Sequence, residues 1–426
     1  MRRISSVAIV RIAAAMAVVA AVALGSIATS TAKFAHFASS KTVDFYSSLP
    51  MQGASSAQTI PIVNSIKLAL KDAGNKAGPF KIKYTELDDS TAAAGEWDPT
   101  QTAADAKQAA SDPNAIYYIG EFNSGASEVS IPILNTAGIA QDSPANTYVG
   151  LTVDIPGVSA PGEPQKYYPT GKRTYFRIVP IDTIQGAADL LALKQQGCKK
   201  VAIANDGQAY GAGLAKTIGV EAKSYGVSIV WSQQIDTTSP NYTSVASAIA
   251  ASGATCFEFA GTTATAGTAV SEAVYAALPK ATILGPDGVC SSSWAQGVPA
   301  GMLSQMLCTV ATLNLKAYPG GSKFLKLYKA AYHVANPDPY AIYGYAAAQV
   351  GLEALAKVKP GGNLRAKMVA AMHAVKSYNT VLGDFAFNAA GDTSLTSYGL
   401  YKFNASGTPV FYKTLKPTSY LKPTAS

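Results

Sequence analysis

Charged side chains are scarce in this 426-residue chain, in which Asp, Glu, Lys and Arg make up 14% of the residues. An average soluble domain has about 25%. Disordered chains are rich in charge and poor in apolar residues, whereas 48% of these residues are hydrophobic. The composition therefore excludes disorder as the main state and predicts a packed core. The length predicts two domains or one very large one.

Histidine is also rare, and no H-E-x-x-H or C-x-x-C motif is present, so the sequence predicts no metal site. The chain lacks the G-x-S-x-G motif of α/β hydrolases and the P-loop motif of nucleotide-binding proteins. No acid, base or nucleophile stands in a recognisable catalytic constellation. We therefore expect no cofactor and no enzymatic activity. The three histidines are His36, His333 and His373.

Only one long apolar run occurs, and it lies at the N-terminus. Arg2, Arg3 and Arg11 precede an apolar stretch over 12–29, which is followed by the small residues at 30–32. This pattern predicts a secretory signal peptide over 1–32 and an exported protein. An uncleaved membrane anchor is the alternative, because a stretch of this length could just span a bilayer.

The net charge of +8 comes from 34 Lys and Arg against 26 Asp and Glu. Three of the arginines fall within 1–32, so the charge after cleavage is +8 − 3 = +5. No segment has a cluster of Lys and Arg of the kind that nucleic-acid-binding proteins present. We therefore expect no nucleic-acid partner.

From about residue 41, strand-like and helix-like segments alternate, which is typical of parallel sheets in an α/β fold. The alternation runs twice, on either side of a Pro- and Gly-rich stretch at 151–173 that reads as a surface loop, so we predict two doubly wound domains. The predicted strands are 42–49, 80–87, 115–122, 138–143, 199–205, 227–235, 255–260, 281–286 and 306–311, with a closing hairpin of 399–403 and 410–412. The predicted helices are 56–77, 99–111, 126–137, 183–196, 212–225, 242–252, 264–278, 322–334 and 340–358.

All four cysteines lie in the exported part, where an oxidising compartment favours disulfides. Cys198 and Cys256 stand at the same end of two strands that would be neighbours in a doubly wound sheet. Their spacing is compatible with a disulfide, and Cys290 and Cys308 would form the second. Four buried free thiols are the alternative.

Polar residues follow several of the predicted strands, at the sheet edge where open α/β sheets bind ligands. Ser124 comes after the strand at 115–122 and leads into a helix, whose free N–H groups would suit an anion. Asn146 and Thr147 occupy an equivalent turn, Tyr210 opens a later helix, and Asp287 follows the strand at 281–286. Simpler roles are open for two of them, because Ser124 could only cap its helix and Asp287 could only form a turn with Gly288.

At these residues the chain resembles the extracytoplasmic substrate-binding proteins of ABC transporters, in the branch that binds leucine, isoleucine and valine. The resemblance runs from about residue 41 to 413. Each supporting stretch is weak alone, but seven in the family's order behind an export signal are specific. They are LDD at 87–89, YYIGEFNSGAS at 117–127, SPANT at 143–147, NDGQAYGAGLA at 205–215, LGPDGV at 284–289, PDPYAIYGYAAAQ at 337–349 and GDTSL at 391–395.

The resemblance implies the type I periplasmic-binding-protein fold, with two doubly wound domains joined by three crossings and the ligand in the cleft between them. The first domain would span 41–177 and 313–394, and the second would span 178–312 and 395–415. Residues 416–426 would form a C-terminal tail.

The resemblance also implies how an amino acid would be held. Ser124 and Thr147 match the residues that hold its carboxylate, while the carbonyl of Ala145 and the acid Asp287 match those that face its ammonium. The remaining matched or neighbouring positions would line the cleft or the side-chain pocket: Met51, Asn123, Asn146, Tyr210, Thr262 and Tyr340.

Several positions depart from the family's pattern. Asp287 stands where the family has glutamate, so the ammonium would sit closer or be bridged by water. Thr262 replaces a tyrosine, and Asn146 replaces a small residue and could hydrogen-bond the ligand. The family's first-domain disulfide is missing, since its positions match Ser90 or nearby and Asn123. These changes bear on which side chain is recognised.

The function implied is capture of a small amino-acid-like solute, branched-chain or related, and its delivery to the membrane permease of an ABC importer. Two other classes stay open. The first is a binding protein that senses an amide, urea-like or small carboxylate solute, and the second is an exported α/β enzyme. The enzyme would need a nucleophile, base or metal in the cleft, for which the sequence gives no candidate.

Overall fold

The computed structural model describes residues 42–423, so the predicted signal peptide lies outside the described residues. No helix in that range is long and apolar enough to cross a membrane. The strands are β1 (Thr42–Ser48), β2 (Lys76–Ala77), β3 (Phe80–Leu87), β4 (Ala115–Ile119), β5 (Ala140–Ser143), β6 (Tyr175–Arg177), β7 (Lys200–Asn205), β8 (Ser228–Gln234), β9 (Cys256–Ala260), β10 (Thr282–Gly285), β11 (Met306–Val310), β12 (Tyr378–Thr380), β13 (Gly383–Phe385), β14 (Tyr398–Phe403) and β15 (Pro409–Leu415). The α-helices are α1 (Ser56–Asp72), α2 (Pro99–Ser111), α3 (Ser124–Ala137), α4 (Asp182–Gln195), α5 (Ala209–Glu221), α6 (Thr243–Ala251), α7 (Gly267–Ala277), α8 (Ala300–Leu303), α9 (Gly321–Tyr332), α10 (Ala341–Ala356) and α11 (Leu364–Ala374).

These elements build two main sheets. The first has the order β2-β3-β1-β4-β5-β6 and is parallel except for β2, and the second has the order β15-β14-β11-β10-β9-β7-β8. In the second sheet β7 to β11 are parallel and the hairpin of β14 and β15 is antiparallel. The strand order reverses beside β1 in the first sheet and beside β7 in the second, which confirms the predicted doubly wound architecture.

The chain crosses between the two sheets three times: between β6 and α4, between β11 and α9, and between β13 and β14. Helices α9 to α11 return to the first sheet, where α10 packs on α1 and α11 on β4. We call the body around the first sheet the first lobe and the body around the second sheet the second lobe.

The central strands are buried on both faces, as near-continuous apolar runs predict for a parallel sheet. All five residues of β4 are buried, and so are all five of β9. The strand ends are therefore fixed by packing, and the segments that follow them are held at defined places along the sheet edge.

Two sequence predictions are corrected by the structure. The helix predicted over 56–77 ends at Asp72, because Gly74 adopts a φ of 64° and β2 then pairs with β3. The stretch at 151–173 is not simply a surface loop, since Val158, Tyr167 and Tyr168 are buried in a small core of their own. Neither the Pro and Gly content nor any apolar period signals that packing.

Both predicted disulfides are present in the structure. Cys198 bonds to Cys256, with Cα atoms 5.8 Å apart, where β7 and β9 lie side by side. Cys290 bonds to Cys308, with Cα atoms 5.4 Å apart, and links the segment that follows β10 to β11. The described residues contain no free cysteine.

The two disulfides should stabilise the protein unequally, because they close loops of 58 and 18 residues. The chain-entropy account gives about 4 kcal/mol for the longer loop and about 3 kcal/mol for the shorter. In urea unfolding, we expect the double variant Cys198→Ala/Cys256→Ala to lose more free energy of unfolding than Cys290→Ala/Cys308→Ala. Equal losses, or the reverse order, would contradict the loop-length account at these sites.

Candidate ligand-binding site

A cavity lies between the lobes, at the carboxyl ends of the strands of both sheets. The first lobe reaches it with the segments after β4 and β5 and with the residue before α10. The second lobe reaches it with the segments after β7, β9 and β10. The lining residues are Phe122, Asn123, Ser124, Ala145, Thr147, Gln208, Tyr210, Thr262, Asp287, Gly288 and Tyr340.

Eight of the ten predicted ligand-binding residues line this cavity. The two exceptions are Asn146 and Met51. The side chain of Asn146 is committed to the first lobe, where its Nδ2 donates to the carbonyl of Phe122 (2.7 Å) and its Oδ1 accepts from the hydroxyl of Tyr175 (2.9 Å). Met51 donates its N–H to Asp88 (2.9 Å) and packs on the core. The structure therefore does not place either side chain against a ligand in this cleft.

The first-lobe wall contains the N-terminus of α3. Asn123 occupies the position before the helix, its side chain makes no capping hydrogen bond, and its buried Oδ1 accepts from no donor among residues 42–423. Ser124 is the first helical residue, so it does not cap the helix as the alternative interpretation held. A helix N-terminus with free N–H groups attracts anions, and here it opens into the cavity.

The turn after β5 forms the neighbouring part of this wall. Ser143 fixes the turn, because its Oγ accepts from the N–H groups of Ala145 (3.1 Å) and Asn146 (2.8 Å) and donates to the carbonyl of Glu121 (2.7 Å). The N–H of Tyr148 donates to Ser124 Oγ (3.4 Å). Thr147 thereby stands beside the start of α3, and the two segments form one donor-rich surface.

Asp287 dominates the second-lobe wall. Its carboxylate accepts hydrogen bonds from the hydroxyls of Tyr210 and Tyr340 and from Gln185 Nε2 (2.8 Å). Burial raises the pKa of Asp287 above its ordinary value, while these three donors oppose the rise. Burial and the charge of Asp287 raise the pKa values of both tyrosines well above 10, so they stay neutral donors.

A second acid, Asp206, shapes two of the turns that carry cavity residues. Its carboxylate accepts from the N–H of Gln208 (3.0 Å), the N–H of Thr262 (3.3 Å) and the hydroxyl of Thr265 (2.8 Å). A Cβ at Gly211 would lie 2.3 Å from Asp206 Oδ1. The start of α5 can therefore lie this close to the acid only because residue 211 is a glycine. The two segments that carry Tyr210 and Thr262 are thus held against one buried carboxylate.

The cleft is closed by contacts that cross between the lobes. Gln58 Nε2 donates to the carbonyl of Asp287 (2.9 Å), and the hydroxyl of Tyr340 reaches its carboxylate. On the other side, Trp97 Nε1 donates to Gln208 Oε1 (3.1 Å). The open space left between the walls measures about 20 Å³, which is room for about one water molecule. A solute the size of an amino acid can therefore enter only if the lobes separate or Tyr340 moves aside.

Sequence reasoning missed five residues of this site: Phe122, Gln208 and Gly288, which line the cavity, and Gln58 and Gln185, which contact Asp287. The first three lie within two positions of a predicted residue: Phe122 precedes Asn123, Gln208 lies two positions before Tyr210, and Gly288 follows Asp287. The two glutamines lie inside helices, where nothing in the helical pattern distinguishes them from other buried polar residues.

Residues 47–408 match the family described as periplasmic binding protein. The chain belongs to this family. The predicted family is thereby confirmed, and it is a family of solute-binding proteins rather than enzymes. Among curated relatives, a Leu/Ile/Val-binding protein homolog 1 of Brucella melitensis is 25% identical over 358 residues, which are 83% of this chain and 88% of the relative. An amino acid binding protein of Pseudomonas aeruginosa is 25% identical over 77% of this chain and 80% of its own length.

Solved structures share the fold. The leucine binding protein LivK of Thermotoga maritima superposes with a TM-score of 0.74 at 21% identity, over 88% of this chain and 99% of that one. A solute binding protein of Rhodopseudomonas palustris in complex with benzoate gives a TM-score of 0.72 at 18% identity, over 90% and 98%. These likenesses establish the type I periplasmic-binding-protein fold for this chain.

Proposed function

We propose that this protein is the extracytoplasmic solute-binding component of an ABC importer, and that its ligand is an amino acid or a closely related small carboxylate. One observation carries the proposal: a donor-rich wall at the start of α3 faces a buried carboxylate across a closed cleft. A zwitterion offers a charge of each sign to these two walls. Charges in a dry cleft are costly unless each has a partner, so such a cleft favours a solute of this kind.

The two lobes act as the closing bodies in this proposal, with 41–177 and 313–394 moving against 178–312 and 395–415. The three crossings between them absorb the motion as a hinge. The closed form with its ligand is delivered to the permease subunits, outside the cytoplasm. Curated relatives named as Leu/Ile/Val-binding and amino acid binding proteins support this assignment.

A small carboxylate without an ammonium group is the second candidate. Asp287 already accepts three hydrogen bonds from the protein, so it does not depend on a ligand cation for its partners. The rings of Phe122 and Tyr340 meet edge to face, with centroids 5.9 Å apart, and offer an aromatic surface to the cavity. A neighbour of the same fold is in complex with benzoate, and another with 4-hydroxybenzoate.

Calorimetric thermal unfolding of the refolded protein against the twenty amino acids, benzoate, 4-hydroxybenzoate, urea and short amides tests the proposal. A ligand present at 1,000 times its Kd adds about 4.1 kcal/mol to the free energy of unfolding. We expect stabilisation by a few carboxylate-bearing solutes only. Stabilisation by amides or urea alone would contradict the proposed carboxylate wall, and no stabilisation by any of the panel would contradict the ligand class.

Transport and sensing differ in the partner rather than in the cleft. If the role is transport, the liganded protein should stimulate ATP hydrolysis by its permease complex in vesicles, and the unliganded protein should stimulate it less. A liganded protein that leaves the hydrolysis rate unchanged would favour the sensing role.

A further inference from the structure

Arg177 is a fully buried cation directly behind the turn that carries Thr147, although it does not line the cavity. It is the last residue of β6 and stands where the chain leaves the first lobe for the second. Its Nη1 donates to the carbonyls of Asn146 (3.3 Å) and Tyr148 (2.6 Å), which flank Thr147 on either side. The guanidinium thus holds the back of the turn.

The carbonyl between these two is held in the same way. Thr147 O accepts from the N–H of Asp182 (2.8 Å), the first residue of α4. Three consecutive carbonyls therefore point to Arg177 and α4. In a trans peptide the N–H points opposite to the carbonyl, so the N–H groups of Thr147 and Tyr148 face the other way. That side is the cavity side, because Tyr148 N–H donates to Ser124 Oγ.

Arg177 is itself fixed by the third crossing. Its Nε donates to Asp392 Oδ1 (2.7 Å), its main-chain N–H donates to Gly391 O (3.0 Å), and its Nη2 contacts the hydroxyl of Thr152. Thr152 in turn donates to Asp392 (2.8 Å). The guanidinium thereby links the turn to a segment that connects the two lobes.

We propose that Arg177 is a positioning residue that makes the 145–148 turn selective for anions, by holding the carbonyls of residues 146–148 away from the ligand and the N–H groups of Thr147 and Tyr148 toward it. The inference rests on the proposed carboxylate ligand. Without Arg177, the carbonyls of Asn146 and Tyr148 would lose their partners and could turn toward the cavity. Their lone pairs would then oppose a carboxylate but not a carboxamide, so selectivity would fall along with affinity.

Arg365 supplies a matched control in the same lobe. It is also a buried arginine that donates to main-chain carbonyls, those of Ala115 (2.9 Å), Ala137 (3.0 Å) and Ala110 (3.0 Å), but none of these lines the cavity. Its loss should lower stability without altering the turn. Comparing the Arg177 and Arg365 variants therefore separates the general effect of losing a buried arginine from the proposed effect on the turn.

The binding test compares Arg177→Lys and Arg365→Lys by calorimetric titration with L-isoleucine, L-isoleucinamide, benzoate and benzamide. Lysine keeps the charge but cannot reach four acceptors at once. Of the two carboxylates, the one that the wild-type protein binds is the reference ligand. We expect Arg177→Lys to lower the affinity for this carboxylate at least tenfold. The ratio of the carboxylate affinity to the affinity for the matching amide should fall at least fivefold. Arg365→Lys should leave that ratio within twofold. Equal losses for the carboxylate and its amide would overturn the proposal.

A ligand-free measurement tests the same inference independently of the proposed function. Hydrogen exchange of the peptide covering 143–150 should accelerate at least tenfold in Arg177→Lys, and to a lesser extent in Asp392→Asn if the first variant does not fold. The exchange rate of the same peptide should be unchanged in Arg365→Lys. Unchanged exchange in the Arg177 and Asp392 variants would overturn the positioning role. A wild-type protein that binds neither isoleucine nor benzoate in the titration would count against the proposed function alone.

Discussion

Asp287→Asn should weaken binding of an α-amino acid about 100-fold while leaving binding of an aromatic carboxylate unchanged or tighter. The buried carboxylate is the one negative charge that the second lobe presents on the cavity lining. Removing the charge partner of a buried ammonium costs about 2–5 kcal/mol, and 1.4 kcal/mol is a factor of ten. A ligand that carries only a negative charge loses no affinity by the same change, because its carboxylate is no longer repelled by the carboxylate of Asp287.

Asparagine keeps the shape of Asp287 and one acceptor oxygen, so Tyr210, Tyr340 and Gln185 can retain part of their contacts. Asp142→Asn is the matched control: this acid is equally buried and accepts from Tyr117 (2.7 Å), but it lies on β5 away from the cavity lining. Titration calorimetry of both variants measures the effect. A loss of less than threefold for a bound amino acid would remove Asp287 from the ammonium site.

The protein should be most stable in mildly acidic solution and should lose stability as the pH rises from about 4 to 8. Several carboxyl groups are buried away from any cation. Burial raises the pKa of Asp89 to about 8, although a hydrogen bond with Glu121 opposes the rise, and it raises the pKa of Asp142 to about 8. In the second lobe, burial raises the pKa of Glu258 to about 8 and that of Asp189 well above its ordinary value.

The contacts of Asp189 and Glu258 explain these shifts. Asp189 faces the carboxyls of Glu258, Asp287 and Asp182 and accepts from the hydroxyl of Thr309 (2.5 Å), with no cation among these neighbours. Neither oxygen of Glu258 accepts from an N–H group or a hydroxyl of residues 42–423. The carboxyl of Glu258 therefore has only that of Asp189 as a hydrogen-bonding neighbour, and two carboxyls form a hydrogen bond only while one of them carries a proton.

The direction follows from proton linkage. Between the ordinary pKa of about 4 and the folded pKa of about 8, the unfolded chain has released a proton that the folded protein keeps. Raising the pH through this interval therefore favours unfolding, by up to 1.36 kcal/mol per pH unit for each such group. Asp88 acts in the opposite sense. Burial alone would raise the pKa of Asp88, but hydrogen bonds from Ser90, Met51 and Gln52 lower it. Its contribution to the free energy of unfolding is therefore lost only in stronger acid.

Urea unfolding at pH 4.5, 6 and 8 measures the trend. We expect a fall of several kcal/mol across this range in the wild-type protein. The fall should be smaller in Asp189→Asn/Glu258→Gln, whose amides cannot titrate, while Asp89 and Asp142 keep the remainder of the dependence. Asp154→Asn, at an exposed acid, should leave the dependence unchanged. A stability that rises toward pH 8 would show that the buried carboxyls are not protonated in the folded state.

The fold could be predicted from the sequence because its central strands are continuous apolar runs separated by periodic helices. The strand at 80–87 and the helix at 99–111 match the structure residue for residue. Short edge elements were missed, such as β6 and the hairpin of β12 and β13. Each of these strands has only three residues, which is too few to show an alternating hydrophobic pattern. Their strand conformation depends on pairing with neighbouring strands in the folded chain.

The site could be predicted in outline for a similar reason. Strand ends in a doubly wound sheet converge on one edge, so polar residues after different strands meet even when they are far apart in sequence. Sequence patterns do not show which way a side chain turns. Asn146 turns into the first lobe because Phe122 and Tyr175 satisfy it there, whereas Gln58 and Gln185 reach Asp287 from the first turns of α1 and α4.

Trp97 makes the closed cleft observable without a label. Its indole belongs to the first lobe and donates to Gln208 of the second, so separation of the lobes would expose the ring to water and shift its emission to longer wavelength. The chain has three tryptophans. Trp294 is fully buried in the second lobe and gives a constant background, and Trp231 can be replaced by Phe in β8. The intrinsic fluorescence of such a variant would report the rate at which the cleft opens and closes around a solute.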